Sequence, residues 1–265
     1  MIRAIAHPTD FSDAASDAFL HALALALAHR CRLDLLHVGA AAHAEAWDNF
    51  PHVRDALRCW GRLDAGAGVE DILPATGVSV RKAEIQDRDP VQGLSRYFWT
   101  HRPDLIVMAS HGRTGLRRWL RGSISEDVLQ AGHVPALVLG PKAAGFVDRD
   151  SGDLDLGRVL VPVTDRPHPE RALLRLHDIV APFRASLDLV HVGNAPPKVI
   201  SPSGAPTAVR ALGGAAVETI LSQGRGAALI AMPTQGRHGF LDAVRGTTTE
   251  QVLRQASCPL LTLPA

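Results

Sequence analysis

The stretch 105–128 reads L-I-V-M-A-S-H-G-R-T-G-L-R-R-W-L-R-G-S-I-S-E-D-V and decides the fold of this chain. Its first four residues form a short apolar run between Pro103 and Gly112, which is typical of a fully buried strand. A loop rich in glycine and arginine follows, and Gly122-Ser123 then opens a segment with acidic residues in its first turn, as in a helix. This order favours anion binding, because the first backbone N–H groups of a helix have no partner within the helix.

The spacing of the glycines narrows the kind of loop. It is neither the G-x-x-x-x-G-K-[ST] of a P-loop nor the G-x-G-x-x-G of a dinucleotide fold. Ala109 stands three residues before Gly112, and nine residues separate Gly112 from Gly122-Ser123. This spacing resembles the G-x2-G-x9-G-[ST] nucleotide loop of the universal stress protein (UspA) family, with alanine in place of the first glycine.

Length and charge limit the class of protein. A chain of 265 residues exceeds the usual domain size of about 100–200 residues, so we expect two domains. A formal net charge of +1 argues against a large sequence-independent affinity for nucleic acid or anionic membranes. We therefore expect neither partner.

The cysteines and the apolar segments bear on the compartment. Cys31, Cys59 and Cys258 contain no C-x-x-C pair, which is typical of reduced thiols and argues against a disulfide framework or a zinc site. The apolar start is interrupted at His7-Pro8, and the apolar run 18–28 is too short to span a bilayer. We expect no signal peptide, no membrane helix and a cytoplasmic protein.

Alternating strands and helices predict the architecture of the first half. Short connections in a strand–helix–strand unit imply a parallel sheet with right-handed crossovers. The result is a doubly wound α/β domain whose ligand lies at the carboxyl ends of the strands. The predicted strands are 2–6, 33–38, 78–85, 105–108 and 135–139, and the predicted helices are 13–30, 44–64 with a break at Pro51, 90–101 and 123–131.

The same order of motifs then repeats. Residues 158–165 resemble 3–10, and residues 187–193 match 33–39 in six of seven positions. Residues 230–263 align without gaps to 106–139. This pattern predicts a tandem duplication of two doubly wound, five-stranded parallel-sheet domains, over 1–142 and 156–265, with a polar linker at 143–155.

The second half is shorter than the first. The offset between matching residues falls from 154 at the second strand to 124 at the fourth, so about thirty residues are missing. Residues 194–206 are rich in proline, which indicates that the second helix has been lost there. We expect a strand at 207–212, a helix at 215–223 and one sheet face that the other half or another subunit would have to cover.

The resemblance to universal stress proteins implies a nucleotide site in the first half. In family members that bind ATP, the aspartate after the first strand and the main chain at the end of the second contact adenosine, and the glycine loop wraps the phosphates. Asp10 and Val38 would hold adenine and ribose, while the glycine loop would hold the triphosphate and its Mg²⁺. An alanine at 109 is unfavourable where the loop needs positive φ, which would reduce affinity. The implied residues are Pro8, Thr9, Asp10, Val38, Met108, Ala109, His111, Gly112, Arg113, Gly115, Gly122, Ser123, Ile124 and Ser125.

The resemblance also implies a second site, which we expect to be degenerate. Pro233 stands where the first glycine belongs, and proline fixes φ and removes an N–H donor. The second helix is missing from the same half. The implied residues are Asp165, Val192, Gly236, Arg237, Gly246, Thr247 and Thr249.

Simpler interpretations exist for several of these residues. Asp10 could cap the turn into the first helix beside Ser12, and Ser123 and Thr247 could be helix N-caps alone. Arg117, Arg118 and Arg121 could be a solvated face. The repetition of His37 and His191 is explained by the duplication, so we expect no metal apart from Mg²⁺ with the nucleotide.

No catalytic residue can be assigned. The sequence has no G-x-S-x-G motif, no cysteine with a placed histidine and no paired carboxylates, so we expect at most slow ATP hydrolysis. The resemblance implies a stress-response or signalling protein that binds ATP in its first domain. Its domains would form an intramolecular pseudo-dimer through strands 136–139 and 260–263, with a homodimer and an unknown protein partner left open. The alternatives are an interaction scaffold that has lost nucleotide binding, and an enzyme of the wider adenine-nucleotide hydrolase-like group.

Overall fold

A computed structural model describes residues 1–39, 46–110, 134–201, 204–234 and 248–265. The chain divides into two compact units, the first made of Met1–Gly122 with Val147–Leu154 and the second of Ser123–Phe146 with Asp155–Ala265. The repeat boundaries at 142 and 156 stay a prediction, because compactness alone does not test where a duplicated segment begins or ends.

The first unit contains a four-stranded parallel sheet in the order β4-β1-β2-β3. The predicted strands and the helices on either side of Pro51 are confirmed within a few residues, while α4 was not predicted. The predicted helix 123–131 lies outside the described residues. The strands are β1 (Ala4–Pro8), β2 (Arg32–Gly39), β3 (Ser79–Gln86) and β4 (Leu105–Ala109), and the helices are α1 (Asp13–His29), α2 (Ala46–Asn49), α3 (Val53–Cys59), α4 (Ile72–Thr76) and α5 (Pro90–His101).

Local caps explain why α1 and α5 begin where the sequence predicts. The Ser12 hydroxyl accepts a hydrogen bond from the Ala15 backbone N–H at 3.3 Å. The Asp89 carboxylate accepts one from the Val91 N–H at 2.9 Å, and Pro90 follows it in the first turn. Both arrangements satisfy N–H groups that a helix leaves without partners, so a few residues decide each boundary.

The second unit contains a sheet in the order β10-β7-β6-β11-β12-β5. Its neighbouring strands are parallel except β5, which comes from the first half and pairs antiparallel with β12 through Leu137 and Leu261. The two terminal strands that the sequence singled out are therefore paired. The strands are β5 (Ala136–Leu139), β6 (Arg158–Pro162), β7 (Ser186–Val192), β8 (Val199–Ile200), β9 (Pro206–Thr207), β10 (Arg210–Leu212), β11 (Leu229–Thr234) and β12 (Leu260–Pro264), and the helices are α6 (Glu170–Val180), α7 (Ala216–Gln223) and α8 (Thr248–Gln255).

The predicted strand over 207–212 is confirmed only for Arg210–Leu212, which form β10. Thr207 ends β9, which pairs antiparallel with β8, and only β10 pairs with β7. Proline at 206 provides no N–H for a continuous ladder, which suits a short hairpin strand. In the described part of 194–206 there is no helix, as the missing residues predict.

One position of the second sheet is more exposed than its match in the first. Leu33 on β2 and Leu187 on β7 occupy matching positions in the two halves. Leu33 has no exposed surface, whereas Leu187 is 38% exposed. This position is thus less covered in the second sheet, while the lack of cover over a whole sheet face stays a prediction. The fold is α/β with two tandem doubly wound repeats, the second shortened.

Part of the predicted linker packs on the first unit. Residues Val147 and Leu154 form an antiparallel bridge, and the segment between them, here called the strap, belongs to the first unit. The indole Nε1 of Trp60 donates to the Arg149 carbonyl at 2.8 Å, and the Arg149 side chain forms an ion pair with Asp17 on α1. The strap is therefore held by specific contacts rather than by chain connectivity alone.

Within the described residues, no helix is long and apolar enough to cross a membrane.

Candidate functional site

The candidate site of the first unit lies at the carboxyl edge of three parallel strands. Ile5 on β1 pairs with Leu33 on β2 and with Leu105 on β4, so the three strands run in register. Their carboxyl ends carry the predicted residues Pro8, Thr9, Asp10, Val38, Met108 and Ala109.

The order of the strands identifies the crevice at that edge. α1 packs on β1 and β4, whereas α5 packs on β2 and β3. The chain passes from β1 to β2 on one side of β1, whereas β4 lies on the other side, so the strand order reverses between β1 and β4. The gap between the carboxyl ends of β1 and β4 is therefore the topological switch point. Doubly wound sheets bind ligands at such a point.

Asp10 holds the turn between β1 and α1. One carboxylate oxygen, Oδ1, accepts hydrogen bonds from the Ser12 backbone N–H at 3.1 Å and from the Ser12 hydroxyl at 2.5 Å. Ser12 in turn caps α1. The simpler interpretation of Asp10 as a turn residue is therefore realised, and it is compatible with ligand contact because a carboxylate offers about four lone-pair sites.

Backbone and imidazole groups connect the ends of β1 and β2. The Thr9 N–H donates to the Leu36 carbonyl at 2.8 Å, and His37 Nδ1 donates to the Thr9 carbonyl at 2.9 Å. These two bonds continue the contact between the strands beyond their last ladder pair, Pro8 with Leu36. They hold the Thr9-Asp10 segment in place at the edge.

An aromatic cluster lies beside that segment, and sequence reasoning missed it. Phe11 has a φ of 60°, a left-handed conformation rare for an aromatic residue, and its ring stacks on His37 with centroids 4.2 Å apart. Phe50 contacts the edge of Phe11 at 5.4 Å, and Lys82 Nζ lies 5.6 Å from the Phe50 centroid. Burial lowers the pKa of Lys82. Phe11 adjoins the quoted motif, but only folding brings Phe50 and Lys82 to it.

His7 lies just inside the switch point. Its side chain is fully buried, and Nδ1 lies 2.9 Å from the Val107 carbonyl of β4. Burial lowers the pKa of His7 to about 4, so the imidazole is neutral at physiological pH. Sequence reasoning did not select His7, since a histidine at the end of a buried strand carries no motif.

The second unit repeats the two hydrogen bonds of Thr9, but at residues one position earlier than the sequence alignment predicts. Val163 N–H donates to the Val190 carbonyl at 2.8 Å, and His191 Nδ1 donates to the Val163 carbonyl at 2.9 Å. These bonds reproduce those of Thr9, so Val163 matches Thr9 and Thr164 matches Asp10. The sequence alignment that placed Asp165 there is off by one residue, and the role of Asp165 stays a prediction.

The remaining described residues of the second site are spread over three elements. Asp165 is exposed in the loop after β6, Val192 ends β7, and Thr249 is buried in α8. Pro233, the residue in place of the first glycine, lies in β11 opposite Leu263 of β12. These positions leave the second site without a carboxylate at the place of Asp10.

Both glycine loops lie outside the described residues. The predicted residues that lie outside the described ones are His111, Gly112, Arg113, Gly115, Gly122, Ser123, Ile124, Ser125, Gly236, Arg237, Gly246 and Thr247. Their roles stay predictions.

Clusters of metal ligands and reactive thiols are the side chains that could give this chain catalytic chemistry. The described residues contain no group of three or more histidine, cysteine, aspartate or glutamate side chains that could hold a metal ion. Burial raises the pKa of Cys31 to about 12 and that of Cys258 to about 11, so both are thiols at neutral pH. A thiol in that state is a poor nucleophile.

Known proteins resemble this chain over both halves. The model of the universal stress protein family matches residues 1–140 and 207–264. A universal stress protein from Methanocaldococcus jannaschii is 28% identical over 142 residues, which cover 52% of this chain and 82% of that protein. A second one from the same organism is 27% identical over 169 residues, covering 54% and 97%.

A solved structure matches the whole architecture. The crystal structure of a universal stress protein from Archaeoglobus fulgidus aligns with a TM-score of 0.63 and 21% identity, covering 98% of this chain and 96% of that one. At 21% identity the structural similarity establishes only the fold. Membership of the family is established by the family model, which matches both segments. This chain belongs to the universal stress protein family.

Proposed function

We propose that this protein binds ATP at the carboxyl edge of its first repeat and acts in the stress response as a nucleotide-dependent signalling protein. The observation that carries the proposal is that Asp10, Val38 and Ala109 lie at the carboxyl ends of three neighbouring parallel strands, two of which flank the switch point. Family membership supports a stress-response role. The reduced-thiol pattern supports a cytoplasmic location.

The geometry of Asp10 suits recognition of a ribose. Its carboxylate is half-buried and oriented by Ser12, so it is pre-organised to accept hydrogen bonds from hydroxyl groups of a ligand. Main-chain groups at Val38 would contact the base. The nucleotide fits this edge because acceptor and backbone groups lie there together.

The phosphates would lie on the glycine loop. We propose that Gly112, Arg113, Gly122, Ser123 and Ser125 hold them through backbone N–H groups and hydroxyls, as the loop motif implies. Mg²⁺ would be held mainly by the phosphates and by hydroxyl oxygens of this loop, and it would neutralise the phosphate charge. We propose a binding protein rather than an enzyme, with turnover that is slow at most.

One nucleotide per chain is the expected stoichiometry. The second repeat carries Thr164 at the place of Asp10 and Pro233 at the place of the first glycine. Both changes remove groups that the first site offers: a carboxylate in one case and a backbone N–H in the other. The second site is therefore proposed to be degenerate.

An interaction scaffold without nucleotide is the second candidate. Ala109 favours it, because a Cβ at that position disfavours positive φ and close approach of a phosphate. If this effect dominates, neither repeat binds nucleotide. The apolar face exposed at Leu187 would then be a surface for a partner.

Native mass spectrometry with ATP and Mg²⁺ tests the proposal. We would compare the unaltered protein with Gly122→Asp, and with Gly246→Asp as the matched change in the second repeat. One nucleotide that is lost in Gly122→Asp and retained in Gly246→Asp supports the proposal. Two bound nucleotides per chain would show that the second site is functional. If no nucleotide binds at millimolar ATP, the interaction scaffold is the function that remains. Phosphate release faster than in Gly122→Asp would indicate an enzyme.

A further inference from the structure

A side chain continues the contact between β1 and β4 beyond their last ladder pair, at the entrance to the crevice. The two strands pair only at Ile5 with Leu105 and at Ala6 with Ile106. One residue further on, His7 Nδ1 contacts the Val107 carbonyl at 2.9 Å. Because a carbonyl oxygen only accepts, Nδ1 carries the proton and donates it, which assigns the tautomer of the neutral ring.

The location of this bond relates it to the site. Pro8, Thr9 and Asp10 follow His7 directly on one side of the crevice. Met108 and Ala109 follow Val107 directly on the other. The bond therefore joins the two chain segments at the last residues before both of them enter the site.

Packing alone does not account for a histidine here. The Nε2 atom of His7 is buried and has no hydrogen-bond partner among the described residues. An unpaired buried acceptor is unfavourable, and an aliphatic side chain would avoid that cost. The second repeat has such a side chain, since Val161 matches His7 in strand register and is also fully buried.

We propose that His7 is a positioning residue for the first-repeat nucleotide site, where its bond to Val107 sets the separation between Asp10 and Ala109. This inference rests on the proposed function. It explains why the first repeat carries a donor at this position and the second repeat does not. The histidine acts as a neutral donor at physiological pH, so its role does not change between about pH 6 and pH 8.

Three variants separate positioning from packing. His7→Val copies the residue of the second repeat and removes the donor. His7→Asn places an amide N–H near the position of Nδ1 and retains the donor. Val161→Ala perturbs the matching buried position in the second repeat and serves as the control for a general loss of stability.

Titration calorimetry with ATP and Mg²⁺ gives the first measurement. We expect His7→Val to raise the Kd about ten-fold, and His7→Asn to stay within about three-fold of the unaltered protein. Val161→Ala should leave the Kd unchanged. An unchanged Kd in His7→Val, or an equal loss in His7→Val and His7→Asn, would overturn the inference.

Amide hydrogen exchange gives a measurement that needs no ligand. We expect faster exchange at Met108 and Ala109 in His7→Val than in His7→Asn, at equal global stability. Equal exchange in the two variants would contradict a positioning role. If the unaltered protein binds no ATP, the proposed function fails, and the exchange data still decide whether His7 holds the crevice.

Discussion

Thr164 occupies in the second repeat the backbone position that Asp10 occupies in the first. The residue before each of them, Val163 or Thr9, donates its N–H to the neighbouring strand at 2.8 Å. The same residue accepts from a histidine Nδ1 at 2.9 Å. The two repeats thus share a backbone frame and differ in whether a carboxylate stands on it.

This difference predicts unequal effects of two aspartate changes. Asp10→Ala should weaken ATP binding about ten-fold and lower the free energy of unfolding by about 1 kcal/mol, because Ser12 loses its two bonds to the carboxylate. Asp165→Ala changes an exposed loop residue and should alter the free energy of unfolding by less than about 0.5 kcal/mol. Calorimetry and urea unfolding measure both effects. Equal losses of affinity would show that both repeats bind nucleotide through these aspartates.

The strap predicts an unusually large effect at a single glycine. Gly152 has a φ of 70°, and a Cβ at this position would overlap ring atoms of Trp60. Gly152→Ala should therefore lower the free energy of unfolding by about 2 kcal/mol more than Gly226→Ala. Gly226 is a matched control, because its φ is 72° and no atom lies within 4 Å of its added Cβ. If Gly152→Ala and Gly226→Ala lower the free energy of unfolding equally, the packing of the strap on Trp60 contributes little to stability.

Asp34 and Asp188 each bind arginine, and their different burial predicts different losses of stability when an arginine is removed. Asp34 is fully buried, and Arg32 contacts both of its oxygens, at 2.9 and 3.1 Å. Arg32→Ala should lower the free energy of unfolding by about 3 kcal/mol, because it leaves a buried carboxylate without its cation.

In the second repeat Asp188 occupies the position of Asp34, and Arg210 on β10 is one of its arginine partners, so the comparison variant is Arg210→Ala. Asp188 is more exposed and is also bound by Arg158 at 3.1 Å, so this variant should cost about 1 kcal/mol. Urea unfolding of both variants tests the contrast. A loss in Arg210→Ala as large as in Arg32→Ala would contradict the role assigned to burial.

The pH dependence of stability should carry the signature of His7. Its pKa is about 4 in the folded protein against 6.5 as the ordinary value, because burial disfavours the charged ring. The unfolded chain therefore binds a proton first, so stability is full above about pH 6.5 and falls towards pH 4. Between pH 7 and pH 5 the loss from this group is about 2 kcal/mol. Burial lowers the pKa of His21 as well, which acts in the same direction.

His7→Val isolates that contribution. Urea unfolding at pH 7 and pH 5 should show a loss smaller by about 2 kcal/mol in this variant than in the unaltered protein. The slope that remains would come from His21 and from other groups. Identical slopes in the two proteins would mean that His7 is not buried in a neutral state.

Most elements of the fold could be predicted from the sequence because their signals are local. Buried strands such as Leu105–Ala109 appear as apolar runs, and caps such as Ser12 and Asp89 lie within three residues of the N–H groups that they satisfy. The duplication was also visible, since matching motifs repeat at nearly constant offsets. The start of the strand predicted over 207–212 was wrong because β9 pairs with β8 and β10 pairs with β7, and no local pattern reveals which strands pair.

The candidate site could be predicted only in part. Asp10 and Ala109 belong to recognisable motifs, so their positions followed from the sequence. The match between Asp10 and Asp165 did not hold, because identical letters can align one residue away from the register that hydrogen bonds impose. Phe50, Lys82 and His7 contact or adjoin the site through folding alone, and no motif marks them.

The sequence by itself determined the family and the duplicated α/β architecture, because periodicity, caps and repeated motifs depend on residues close together in the chain. The edge at which a ligand would lie stays a prediction from the same motifs. The tertiary structure alone decided that Thr164 matches Asp10, that the strap covers Trp60, and that His7 joins β1 to β4. Each of these relations is a contact between residues that are distant in sequence or a choice of strand register. Such contacts depend on how whole elements pack, which local patterns do not encode.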